Sequence, residues 1–95
     1  MASKKEFKKD VNFLTYEIIF RGYIHMDFFG DRNAEEVYDI IGEAIVSHND
    51  YIARINKRVS KMDSKEVKIH FKSIYNDLYK STHNLLNRLD NLDIE

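Results

Sequence analysis

The sequence predicts an all-α fold, an up-down-up antiparallel three-helix bundle with helices at roughly 4–29, 34–61 and 64–92. Three observations predict it. Proline is absent and glycine occurs three times in 95 residues, which removes most of the vocabulary of loops and turns. Capping signals divide the chain into three segments of similar length. Each segment carries apolar residues at three- and four-residue steps, the period of a helix with one buried face.

The first helix opens at Ser3-Lys4-Lys5-Glu6, where a hydroxyl and a carboxylate at capping-box spacing can satisfy free N–H groups reciprocally. Its core stripe is Phe7, Val11, Leu14, Ile18, Gly22, His25 and Phe29, and Gly30-Asp31-Arg32 form the loop that follows. The second helix starts from Asn33 as cap, with Glu35 and Glu36 in its first turn. Its stripe is Val37, Ile41, Ala44, His48, Ile52, Ile55 and Val59, flanked by Ile40, Ile45 and Tyr51. Ser47-His48-Asn49-Asp50 could cap a new helix, but the apolar phase runs through it unbroken, so one continuous helix is expected. After a short loop around Met62, either Asp63 or Ser64 caps the third helix. Its stripe is Val67, Phe71, Ile74, Leu78, Leu85, Leu89 and Leu92. Spans of roughly 26 residues give rods of about 40 Å, and short loops between them make neighbours antiparallel.

The chain is 43% hydrophobic and 33% charged, the balance of a folded domain, and a single domain over residues 1–95 is expected. With no cysteine, neither a disulfide nor a zinc–thiolate site can supplement the core. No apolar stretch follows Lys4 and Lys5 as in a signal peptide, and no run is long enough for a membrane span, which predicts a cytoplasmic location.

The first helix departs from the bundle pattern by carrying a second apolar face opposite the first. Phe13, Tyr16, Phe20, Tyr23 and Ile24 lie on it, and Tyr75, Tyr79 and Leu86 form a smaller flank on the third helix. One chain cannot bury both faces of a helix in a three-helix bundle, so this aromatic stripe is expected to be an interaction face. A two-fold homodimer is the commonest form of such self-association.

Charge is split end to end. One end of the bundle collects Lys4, Lys5, Lys8, Lys9, Arg54, Lys57, Arg58, Lys61, Lys65, Lys68 and Lys72 against four acidic residues, a net of +7. The remainder holds four basic and twelve acidic residues, a net of −8, and the two nearly cancel in the overall −1. Helix dipoles favour the arrangement only in the second helix, because the first and third place lysines near their N-termini. The basic end is open to three readings: a solvated surface, an antiparallel copy bringing an acidic end against it, or a polyanion such as nucleic acid or lipid headgroups.

Catalytic signals are poor. There is no Gly-x-Ser-x-Gly elbow, phosphate-cradling glycine loop, dinucleotide fingerprint or Glu-x-x-His pair. His25, His48, His70 and His83 are spread along the rods, and Glu66 with His70 lack a third metal ligand. Asp27, Asp31, Glu35 and Asp39 do not have the spacing of a calcium loop. His48, at the centre of its stripe, is expected to be buried and bonded to a tyrosine or a backbone carbonyl. Neither cofactor nor metal is predicted.

The opening Met1-Ala2-Ser3-Lys4-Lys5 through Asp10, with Asn49-Asp50 and Ala53-Arg54-Ile55-Asn56, resembles a family of short all-helical bacterial proteins of unknown function. The resemblance implies the fold already derived and no activity. The expected function is therefore a non-enzymatic protein–protein interaction module, homodimeric through the second face of the first helix. The alternative is a small adaptor holding nucleic acid or another polyanion at the basic end.

Overall fold

A computed structural model describes residues 4–57 and 60–92. They form three helices, α1 (Lys4–Phe29), α2 (Ala34–Asn56) and α3 (Ser64–Leu92), each packed against the other two. The bundle is a rod of 51 × 19 × 18 Å. Among the described residues no helix is long and apolar enough to cross a membrane.

Two apolar clusters fill the rod. One joins Phe7 and Val11 of α1 to Tyr51 and Ile55 of α2 and Ile74 and Leu78 of α3. The other joins Ile18 to Val37, Ile40, Ile41 and Ala44, and to Leu85 and Leu89. The pairing of early α1 with late α2 and early α3 fixes the up-down-up order. At the α1–α2 seam a Cβ on buried Gly22 would stand 3.0 Å from Ile41 Cδ1, so the absent side chain lets these two helices approach closely.

The clusters are separated by a polar waist. Along α2, His48 falls between Ala44 of one cluster and Tyr51 of the other. Along α3, the buried Thr82 falls between Leu78 and Leu85. His48 is half-buried here, not buried as expected, and its Nε2 meets the Asn12 side-chain amide of α1. Its partner is thus an amide, not a tyrosine or carbonyl. An amide can turn either its oxygen or its NH2 toward the ring, so the contact suits either tautomer.

Helix ends show where capping chemistry succeeded. Gly30, at φ 62°, ends α1 in the left-handed region, and its N–H bonds Met26 O at 2.7 Å. Asn33 occupies the cap position of α2 but does not cap with its side chain. It too is left-handed, at φ 62°, and its Nδ2 reaches Leu92 O of α3 at 3.4 Å. Asp63 caps α3, accepting the Glu66 N–H at 2.8 Å. α2 is continuous through Ser47–Asp50 but ends at Asn56, short of the expected residue 61. Lys57 turns to extended backbone with its N–H on Arg54 O at 3.3 Å, and Nε2 of His70 donates to the same carbonyl at 3.0 Å. Val59, placed on this stripe by periodicity, and Ser3 of the first capping box lie outside the described residues.

Candidate interaction face

α1 is the least one-sided of the three helices, because apolar residues occur on both of its faces. Phe7, Val11, Ile18, Gly22 and His25 are buried on the inner face. Phe13, Tyr16, Phe20, Tyr23 and Ile24 all point outward, 66%, 68%, 63%, 53% and 37% exposed. Phe29, expected in the core, is also exposed, at the last residue of the helix where its ring rests on His25 at 4.7 Å.

Both neighbouring helices widen the face. Tyr38, Ile41 and Ile45 form one ridge of α2, and Ile41 touches the Gly22 position of α1. The exposed Tyr38 and Ile45 on this ridge therefore border α1. On α3, the exposed Tyr79 packs on Tyr75, whose ring meets Phe7 of α1, and the half-buried Leu86 packs on the cluster that contains Ile18 of α1. Tyr75 is half-buried at the inner edge of this flank. Its ring packs on Phe7 at 5.1 Å, so much of it belongs to the core. Its hydroxyl meets that of Tyr79 at 3.1 Å. The hydrogen bond to Tyr79, helped by burial and by the nearby Tyr79 and Asp10, holds the Tyr75 phenol above its ordinary ionisation range.

Sequence reasoning missed Phe28, which is 79% exposed one turn beyond Ile24. The four-residue step from Ile24 was the available signal. Phe28 and Ile24 line an open cleft of about 300 Å³ between α1 and α3, together with His25, Phe29 and Leu89. A second, polar groove of about 400 Å³ lies between α2 and α3, lined by Glu43, Ser47, Asp77, Lys80 and Asn84.

The basic end is largely as charged as its sequence suggests. Lys4, Lys5, Lys9, Lys57, Lys61, Lys65, Lys68 and Lys72 are exposed, and Lys8 is half-buried. Arg54 is withdrawn from it. Its guanidinium meets Asp77 of α3 at 3.0 Å and Asp50 of its own helix at 3.8 Å, and lies over the Tyr51 ring. Arg58 lies outside the described residues. Among the described residues no three His, Asp or Glu side chains gather as metal ligands would. Comparison with family models, curated proteins and solved structures finds no match.

Proposed function

We propose that this chain is a non-enzymatic helical interaction module that self-associates through the outer face of α1. The observation that carries this reading is the run of five exposed apolar side chains, four of them aromatic, along a single helix face. Isolated exposed apolar residues are ordinary, but a contiguous stripe of rings is not. The exposed stripe from Phe13 to Phe28 is about 22 Å long, and across the 19 Å width of the rod it covers roughly 400 Å² per copy, an apolar centre for the ~800 Å² per partner of a standard interface. A second copy also suits the charge, because an antiparallel pairing lays each basic end beside an acidic one.

Light scattering on wild type and Phe20→Glu tests the reading. A wild-type dimer that becomes a folded monomer on substitution is the expected result. A wild-type monomer at all concentrations overturns it. The second reading, polyanion capture, is favoured by the exposed lysines of the basic end. It predicts binding to single- or double-stranded nucleic acid that weakens steeply with salt and with Lys65, Lys68 and Lys72 changed to Gln.

A further inference from the structure

The outer face of α1 contains more than rings. Lys9, Phe13, Tyr16, Phe20, Tyr23 and Asp27 follow one another at alternating steps of four and three residues, and all six are exposed. Alternation of this kind is the seam of a two-stranded coiled coil. Here the seam has an aromatic centre, a cation at one end and an anion at the other.

We propose, resting on the self-association reading, that two copies pair antiparallel along α1 in a register seating Lys9 of each against Asp27 of the other. The register follows from the spacing. In an antiparallel pair of such seams, Tyr16 faces Phe20, Phe13 faces Tyr23 and Lys9 faces Asp27. The residue numbers in each pair have the same sum, so a single alignment satisfies all three. Sliding the copies by one heptad sets a charged end residue against a ring and leaves the other without a partner. A parallel pair sets Lys9 on Lys9 and Asp27 on Asp27, two like-charge contacts that oppose it.

Glu17 lies beside the seam near its middle, where a two-fold axis brings it close to its own copy. That repulsion is muted, because Arg21 holds Glu17 within its own helix at 2.9 Å. The larger charge pattern agrees with the local one. The antiparallel orientation that pairs Lys9 with Asp27 is also the one that lays basic ends along acidic ends.

Charge reversal separates this proposal from the reading beneath it. In sedimentation equilibrium at low salt, Lys9→Asp and Asp27→Lys should each weaken the dimer about tenfold or more, since each turns two attractive contacts into repulsive ones. The two reversals combined in one chain should restore wild-type affinity. An equimolar mixture of the two single variants should also recover it. The chain has no cysteine, so register can be read directly. Lys9→Cys chains mixed with Asp27→Cys chains and gently oxidised should link variant to variant, rather than each to itself. A wild-type dimer indifferent to the reversals, with links only between identical variants, overturns the register and leaves self-association standing. A wild-type monomer overturns both.

Discussion

The phenols of Tyr75 and Tyr79 show how one side chain can serve core and surface together. Tyr75 packs its ring on Phe7 and offers its hydroxyl to Tyr79, which remains in water. The hydrogen bond favours the neutral phenol, so ionisation of Tyr75 is displaced upward from its unfolded value. The stability linked to this group is fully present below about pH 10 and is lost as pH rises through the folded-state pKa. Tyr79→Phe should therefore lower the pH at which Tyr75 ionises, followed through its ring resonances in an NMR titration. An unchanged Tyr75 midpoint in the variant would mean that the hydrogen bond does not form in solution. At this scale the sequence was only partly legible. Periodicity found the side of α2 on which His48 lies. It carries no record of depth along the rod, and so missed the waist that leaves His48 half-buried beside Asn12. Nor does periodicity reveal that Arg54 turns back to Asp50 and Asp77, which depends on a neighbour brought in by folding.

Among the helices, α1 and α2 make the closest approach, and two glycines define its limits. Gly22 is buried against Ile41 and Val37, whereas a Cβ on Gly42 would meet no atom within 4 Å. Gly42→Ala should raise stability by about 0.5–1 kcal/mol, because a helix gains propensity with nothing displaced. Gly22→Val should lower it by about 1–3 kcal/mol, as overpacking outweighs any gain. Urea unfolding of the two variants checks the contrast, and equal shifts would show that the helices do not meet at Gly22. The element boundaries were legible wherever local chemistry sets them: Gly30 at the end of α1 and Asp63 at the start of α3. They were illegible where another helix intervenes. At the end of α2 the Arg54 carbonyl accepts a hydrogen bond from His70 of α3, a contact absent from any local pattern. Asn33 likewise spends its amide on the end of α3 instead of on its own helix.

For the molecule as a whole, antiparallel order turned a linear list of charges into two poles, and this was readable because it needs only helix order and length. The aromatic face was readable for the same reason, since a three-helix bundle has room for only one face of each helix. Its margins were legible only in part, because the step from Ile24 pointed to Phe28 whereas Tyr38 and Ile45 join it through the packing of α2 on α1. The division of the interior into two clusters by a polar layer has a further consequence. Such a rod need not open all at once, and each half can behave as its own cooperative unit. Ile74→Ala removes a fully buried side chain from the half that contains Tyr51 and Ile55, at a cost of about 2–5 kcal/mol. Native-state amide exchange should then speed up around Tyr51–Ile55 while Ile40–Ala44 keeps most of its protection. Uniform loss along α2 would instead describe a single unit. If the halves separate, the stripe on α1 spans both of them, and a second copy bound along it would act as a splint across the waist, joining two weakly coupled folding units into one.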